Sequence, residues 1–143
     1  MMVSTKGRYA LRVMIDMAEH QTGGYLPLKE IAARQEISEK YLESIVKSLV
    51  DEGVLIGLRG KGGGYRLNIS PEQCTVGRIL RITEGSLAPV ACLDPKTAAC
   101  GRMTDCRTLS LWQGLYETVN EYLDRFTIAD LMHRDEPGND YVI

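Results

Sequence analysis

A glycine-rich segment with two cations separates two short apolar runs in the first half of the chain. The segment reads Arg59-Gly60-Lys61-Gly62-Gly63-Gly64, and the apolar runs occupy residues 54–56 and 65–69. Short runs of aliphatic and aromatic residues on either side of a glycine cluster predict two strands joined by a hairpin turn. The chain is therefore expected to contain a small β-hairpin with a basic tip, which we call the wing.

Three predicted helices precede the wing. Apolar residues recur at spacings of three and four over Thr5–Glu19, which predicts an amphipathic helix. Pro27 favours the start of a second helix over residues 28–34, and Ser38 is a suitable N-cap for a third helix that Gly53 ends. Three helices followed by a basic hairpin form a winged helix-turn-helix. The predicted fold class is therefore mainly α with a small β-hairpin wing.

The winged helix predicts contacts with double-stranded DNA. In a helix-turn-helix the second helix of the pair, here the third of the chain, enters the major groove. Its polar side carries serine and lysine, which bond phosphates and base edges, and glutamate, which accepts a hydrogen bond from the cytosine amino group. The predicted DNA-binding residues are Ser38, Lys40, Glu43, Ser44, Lys47, Arg59, Lys61 and Arg66. A solvated helix surface, or a winged helix that binds another protein, is the alternative interpretation.

The distribution of charge agrees with a DNA-binding first half. The formal net charge is −2, but residues 1–66 carry +2 and the remaining residues carry −4. No apolar run reaches the ~20 residues that span a bilayer, and the N-terminus lacks the apolar stretch of a signal peptide. We expect a cytoplasmic protein with no membrane partner and no small-molecule substrate. No convergent base, nucleophile and oxyanion donor are visible, so an enzyme is not expected.

A fourth helix is predicted over residues 75–83, and a loop of residues 85–106 follows it. This cysteine loop contains Cys92, Cys100 and Cys106. In a reducing compartment, clustered cysteines indicate metal or redox chemistry before structural disulfides. Zinc and an iron–sulfur cluster both suit three thiolates, although the spacing differs from that of a CxxC zinc ribbon. A thiol redox switch needs only two of the three. Cys74, outside the loop, is expected to be a buried apolar side chain.

A heptad pattern follows the cysteine loop. Its apolar residues recur at alternating spacings of three and four: Leu109, Trp112, Tyr116, Val119, Leu123 and Phe126. A long helix with such a seam, and no second long helix of its own chain to cover it, predicts a homodimer. The predicted organisation is a winged-helix domain (1–70), a connecting helix with the cysteine loop (71–106), a dimerisation helix (107–132) and a flexible tail (133–143).

Three segments of the sequence are informative together: Ser4-Thr5-Lys6-Gly7-Arg8-Tyr9-Ala10, Tyr41-Leu42-Glu43 and Arg59-Gly60-Lys61-Gly62-Gly63-Gly64-Tyr65. In combination they resemble bacterial winged-helix regulators of the IscR type, a superfamily that also includes the nitric-oxide sensor NsrR and the cysteine-metabolism regulator CymR. The likeness covers about residues 3–132. It implies a homodimeric repressor or activator of transcription.

The resemblance also implies a cofactor. Cluster-sensing members of that superfamily carry three cysteines in this loop and CymR-like members lack them, so an iron–sulfur cluster of the 2Fe-2S type is implied on Cys92, Cys100 and Cys106. The IscR type places a histidine three residues after the last cysteine, where this chain has Leu109. The fourth ligand is left open between Asp94, Asp105, a residue of the partner subunit and a small exogenous ligand.

We therefore expect a homodimeric regulator that senses iron–sulfur status and controls cluster-assembly genes. The resemblance further implies that Glu43 helps the cluster-free protein to reject one class of DNA sites. A small iron–sulfur electron carrier is one alternative, and it would have no use for the basic wing. A zinc-stabilised interaction module is another, and it would be colourless. Within the regulator class, the signal is left open between cluster supply, oxygen, nitric oxide and another oxidant that acts on the thiols.

Overall fold

The computed structural model describes residues 3–98 and 101–132, and within them the chain is mainly helical. The elements are α1 (Thr5–Glu19), α2 (Leu28–Gln35), α3 (Glu39–Asp51), β1 (Leu55–Leu58), β2 (Gly64–Leu67), α4 (Val76–Glu84), a 3₁₀ turn (Ala91–Leu93), α5 (Leu109–Asp124) and α6 (Ile128–Leu131). The two strands form one antiparallel hairpin. The predicted fold class, a mainly helical chain with a small wing, is confirmed. The predicted tail, residues 133–143, lies outside the described residues.

Helix α1 lies at the centre of the main core. Val13, Met14 and Met17 on its apolar side are fully buried, and the helix packs against α2, α3, α4 and α6. Its first turn is fixed by Ser4, whose Oγ accepts a hydrogen bond from the Gly7 amide at 3.1 Å. The other helices of the winged domain are therefore positioned against α1.

Helices α2 and α3 form the helix-turn-helix. Glu36 ends α2 in the left-handed region at φ 54°, and the amide of the buried Ile37 bonds the Ala32 carbonyl at 3.1 Å. Ser38 then caps α3 by accepting from the Tyr41 amide at 3.2 Å. The buried side of α3 consists of Leu42, Ile45, Val46 and Leu49. This packing fixes which side of α3 faces solvent.

The wing is anchored at its base. Leu55 pairs with Leu67 and Leu58 with Gly64, so the strands lie one to two residues from the predicted runs. Beyond the hairpin, Leu26 and Tyr65 exchange two backbone hydrogen bonds, at 2.8 and 2.9 Å. Gly64 has a φ of 145°, and a Cβ there would lie 2.1 Å from the Leu26 carbonyl oxygen. The base of the wing is therefore held directly against the segment between α1 and α2.

Helices α4 and α5 pack together beside the winged domain. Val76, Leu80 and Leu87 form a second apolar cluster, covered by Tyr116, Leu123 and Phe126 of α5 and the residues after it. Arg81 of α4 donates to Asn120 Oδ1 at 2.9 Å and to Asp124 Oδ1 at 2.8 Å. Residues beyond the predicted boundary at 70 also enter the main core, namely Cys74, Ile79 and Ile128. The α6 helix, which begins at Ile128, has no counterpart among the predicted elements.

Candidate DNA interface and cysteine loop

The recognition helix α3 exposes the residues that the sequence predicts for DNA. Its apolar side is buried against the main core, so the opposite side is available to a ligand. All five predicted residues at this helix are exposed: Ser38, Lys40, Glu43, Ser44 and Lys47. Lys47 is the one with an ion pair, to Asp51 at 3.2 Å, and an exposed pair of this kind is worth at most ~1 kcal/mol. The amine of Lys47 therefore exchanges partners at little cost.

The cations of the wing have two different environments. Arg59 and Lys61 at its tip are exposed, and neither makes a hydrogen bond or ion pair with the part of the chain that the structure describes. Arg66, on β2, places its guanidinium 5.0 Å from the centre of the Tyr25 ring, which is a cation–π contact. The two tip cations are thus free for phosphate, whereas Arg66 already has an aromatic partner.

An open groove joins the recognition helix to the wing. Glu43 and Lys47 line one side and Arg59 lines the other, so the structure brings these three predicted residues to one surface. The remaining predicted DNA-binding residues lie outside this groove: Ser38, Lys40, Ser44, Lys61 and Arg66. The lining contains the cations Lys29, Lys47 and Arg59 together with the acids Glu39, Glu43 and Asp51. Such mixed charge suits selective contacts with base edges better than uniform attraction to phosphate.

Lys29 is a groove residue that the sequence prediction missed. It lies in the first turn of α2, is exposed, and lines the groove beside Pro27 and Leu28. In a helix-turn-helix the first helix of the pair crosses the DNA backbone. The available signal was a lysine two residues after Pro27, in the first turn of the helix that Pro27 precedes, and a lysine at this place is suited to a phosphate contact.

Two thiols of the cysteine loop lie among the described residues. Cys92 lies in the 3₁₀ turn, Cys106 lies just before α5, and both are free and half-buried. Cys100 lies outside the described residues. Cys74 is fully buried in the main core, where burial raises the pKa of its thiol against the opposing charge of Arg78. Cys74 is thus part of the core, in agreement with its predicted role as a buried apolar side chain.

Cys106 has an environment that favours its thiolate. Its Sγ lies 3.5 Å from Oγ1 of Thr108. Hydrogen bonding to the Thr108 side chain and backbone lowers the pKa of the Cys106 thiol, with a smaller contribution from the Leu109 amide. The thiolate is the form that binds metals and attacks oxidants, so Cys106 is set up to be more reactive than the buried Cys74.

The proposed fourth ligands are not gathered around the two described thiols. Asp94 Oδ1 accepts from the Lys96 amide at 2.9 Å within its own turn, and Asp105 is exposed. Leu109 begins α5. Within residues 3–98 and 101–132, no three histidine, cysteine or acidic side chains lie close enough together to hold a metal. Because Cys100 is not among those residues, the predicted ligand set stays a prediction.

The heptad residues of α5 have two kinds of surroundings. Tyr116, Leu123 and Phe126 pack on the second apolar cluster of their own chain. Leu109, Trp112 and Val119 are half-buried. A neighbouring stripe that the sequence prediction missed is more exposed: Leu111 at 61%, Leu115 at 41% and Tyr122 at 55%. These three residues lie on one side of α5 at spacings of four and seven, and we call them the α5 stripe.

The winged helix with its exposed recognition helix and basic wing tip defines a DNA-binding transcription regulator. The chain belongs to the Rrf2 family, whose model is described as an iron-dependent transcriptional regulator and matches residues 3–134. This membership confirms the resemblance to IscR-type regulators drawn from the sequence, and it places the protein in a non-enzymatic class. No helix in the described ranges 3–98 and 101–132 is long and apolar enough to cross a membrane.

Relatives of two kinds resemble the chain in sequence over nearly its whole length. It is 35% identical over 136 residues to the HTH-type transcriptional regulator IscR of Aliivibrio salmonicida, covering 95% of this chain and 80% of that protein. It is 38% identical over 131 residues to the HTH-type transcriptional regulator CymR of Bacillus subtilis, covering 92% of this chain and 89% of that protein.

Solved structures give the same pair of names. IscR of T. potens has a TM-score of 0.72 at 32% identity, covering 99% of this chain and 93% of that one. CymR, the global cysteine regulator of B. subtilis, has a TM-score of 0.71 at 37% identity, covering 92% and 95%. Fold and regulator class are therefore common to both kinds of relative. The signal that this chain senses has to be inferred from its own residues.

Proposed function

We propose that this protein is a homodimeric DNA-binding regulator that senses iron–sulfur status and controls iron–sulfur cluster-assembly genes. One observation carries the proposal. A single Rrf2 chain combines an exposed recognition helix with a loop that presents Cys92 and Cys106 as free, half-buried thiols. Similarity to regulators named IscR supports the same conclusion.

Cys92, Cys100 and Cys106 would hold the cluster. Thiolates are the usual protein ligands of iron–sulfur clusters, and the lowered pKa of Cys106 favours that form. A bound cluster supplies a centre whose assembly and loss follow the supply of iron and sulfide and the exposure to oxidants. The chain's own contribution is to fix Cys92 in a turn after α4 and Cys106 beside the first turn of α5.

The homodimer is proposed to form through α5. The α5 stripe leaves Leu111, Leu115 and Tyr122 in solvent on a helix whose other side is covered by α4. The α5 stripe of a second copy would bury this exposed apolar surface, because a two-fold axis places identical patches against each other. Two recognition helices would then meet half-sites about one helical turn of DNA, or a multiple, apart.

Anaerobic reconstitution tests the cofactor. We expect the wild type to become brown and to bind iron and acid-labile sulfide, and each of Cys92→Ala, Cys100→Ala and Cys106→Ala to lose both. Cys74→Ala is the matched control and should retain them, since Cys74 is fully buried away from the loop. A colourless wild type with one zinc per chain would contradict the proposal in favour of a zinc-stabilised module.

A thiol redox switch is the second candidate. A lowered pKa at a half-buried cysteine is typical of redox-sensing thiols, and an oxidised form of Staphylococcus aureus CymR resembles this chain with a TM-score of 0.71. This candidate predicts protein that binds no iron after reconstitution and forms a reversible loop disulfide with a mild oxidant. Mass spectrometry of the oxidised and re-reduced protein separates it from the cluster.

A further inference from the structure

The end of α4 touches the start of α1 through a pair of hydrogen bonds. Glu84, the last residue of α4, accepts at Oε1 from the Ser4 amide at 2.9 Å and from the Ser4 hydroxyl at 2.7 Å. The same Ser4 oxygen accepts from Gly7 at 3.1 Å and so caps α1. A carboxylate at a helix N-terminus also has a favourable interaction with the helix dipole. The contact is therefore both specific and charge-assisted.

Gly7 makes this contact sterically possible. A Cβ at position 7 would lie 2.3 Å from Glu84 Oε1, closer than the two atoms can approach. The Glu84 carboxylate thus occupies the space that the Cβ of any other residue at position 7 would fill. An alanine there would displace the end of a flexible side chain and leave both backbones in place.

The two sides of the contact belong to the sensor region and to the DNA-binding region. Glu84 is followed directly by Gly85, the first residue of the cysteine loop. Lys96, also in that loop, folds back to within 3.1 Å of where a Gly85 Cβ would stand. On the other side, Lys6 in the first turn of α1 donates to Ser48 Oγ of the recognition helix at 3.1 Å. A continuous set of contacts therefore joins the loop to α3.

We propose that the Ser4–Glu84 contact couples the cysteine loop to the recognition helix, with Glu84 as a positioning residue. A change in the loop that turns or unwinds the end of α4 withdraws Glu84 from Ser4 and releases the first turn of α1, and with it the Lys6–Ser48 bond. The inference rests on the proposed function, because it gives the loop's state a route to DNA. Coupling between two binding sites is reciprocal, so DNA must also alter the loop.

The test measures that reciprocal effect in cluster-free protein. Cys92 and Cys106 are alkylated with iodoacetamide under anaerobic, reducing conditions, and rates are read by mass spectrometry. Each sample is labelled with and without a saturating duplex, previously selected from a random pool by wild-type binding. In the wild type we expect DNA to change the rates by about five-fold or more, the lower end of typical allosteric couplings. In Glu84→Ala and Gly7→Ala the change should fall below about two-fold.

Thr5→Ala is the matched control, since its hydroxyl only accepts from Arg8 on the exposed side of α1. It should keep the full wild-type effect. Gly7→Ala keeps the Ser4 cap and favours the helix, so it separates lost coupling from lost folding. A full effect in both Glu84→Ala and Gly7→Ala, or no effect in the wild type, overturns the proposal. Failure to reconstitute a cluster would overturn the proposed signal alone, because this labelling uses no cluster.

Discussion

Arg34 binds both carboxylate oxygens of Asp16. Its Nε donates to Oδ2 at 2.9 Å and its terminal nitrogen to Oδ1 at 2.8 Å, while Gln35 also donates to Oδ2 at 2.9 Å. Asp16 is 2% exposed and is the one charged residue buried among those described. Since Asp16 lies in α1 and Arg34 in α2, the pair fixes the first helix of the helix-turn-helix to the centre of the core.

Loss of this carboxylate should destabilise the fold. We expect Asp16→Ala to lower the free energy of unfolding by about 2 kcal/mol in urea titrations, below the usual cost of breaking a buried pair because Arg34 stays partly hydrated. Glu30→Ala removes the other carboxylate near Arg34, at 3.9 Å and exposed, and should cost less than about 0.5 kcal/mol. Equal costs for the two variants would contradict a special role for Asp16.

The same pair predicts how stability depends on pH. Burial of Asp16 opposes ionisation, but hydrogen bonds from Arg34 and Gln35 and the charge of Arg34 outweigh it, so its pKa lies below 3.8. The unfolded state therefore binds the proton first, and the stabilisation is lost as the pH falls from about 4 through the folded pKa. Urea midpoints of wild type and Asp16→Asn should converge over this acidic range, and parallel curves would contradict the prediction.

Arg59 at the wing tip should supply affinity without sequence preference. Because it has no partner in the described chain, Arg59→Ala should weaken binding to all duplexes and reduce the slope of log K against log salt by about 1. Arg102→Ala removes the same charge from the cysteine loop and serves as the control. Fluorescence anisotropy over a range of salt concentrations gives both slopes, and identical slopes in the two variants would remove Arg59 from the interface.

Glu43 should act on selectivity instead. Its carboxylate lines the groove, where it can accept from cytosine but is repelled by base acceptors. We expect cluster-free Glu43→Ala to bind sites that the cluster-free wild type rejects. The measurement titrates both proteins, with and without cluster, against a panel of selected duplexes. Unchanged discrimination by the cluster-free variant would end this role for Glu43 even if the cluster is real.

The α5 stripe should determine the oligomeric state. Leu115 is 41% exposed within the chain, so Leu115→Asp should leave the fold intact and convert dimer to monomer in sedimentation velocity. Gln113→Asp adds the same charge on a different side of α5 and should remain dimeric. Leu123→Asp is a poorer test, because Leu123 packs on the second apolar cluster of its own chain. A dimeric Leu115→Asp protein would place the interface elsewhere.

Cys106 should react at lower pH than an ordinary cysteine thiol. Its hydrogen bonds to Thr108 lower its pKa, whereas burial raises the pKa of Cys74. In cluster-free protein, the alkylation rate of Cys106 should reach half its maximum at a lower pH than for a free thiol, and Cys74 should stay unlabelled. Thr108→Val removes the hydroxyl and should shift the Cys106 profile to higher pH. No shift in that variant would mean that the hydroxyl does not stabilise the thiolate.

Local signals in the sequence located most of the fold. Ser38 was predicted as the cap of the recognition helix, and the structure confirms it, because capping depends on a few consecutive residues. The observed strand bounds differ from the predicted ones by one or two residues, because a run of glycines does not indicate at which residue the strands stop pairing. The short helix at Ile128 escaped prediction because its four residues are too few to show a period.

Long-range relations were harder to predict. The heptad period showed that α5 has an apolar side, but not that Leu123 and Phe126 would pack on the second apolar cluster of their own chain. The spacing of apolar residues predicts which side of a helix is buried, but it does not identify the residues that cover that side. The Glu84–Ser4 contact joins residues 80 positions apart and has no signal in sequence spacing. Lys29 likewise joins the groove only through the way α2 crosses α3 and the wing.

The clamp between Leu26 and Gly64 divides the wing into a fixed part and a variable part. Nothing larger than glycine fits at positions 63 and 64, where a Cβ would meet backbone, whereas a Cβ at Gly60 or Gly62 of the tip would meet nothing within 4 Å. Insertions or deletions are therefore confined to the tip, where they lengthen or shorten the reach of Arg59 and Lys61 toward DNA. The tip of the wing is therefore the place to replace residues when the preference for DNA sites is to be changed without altering the recognition helix.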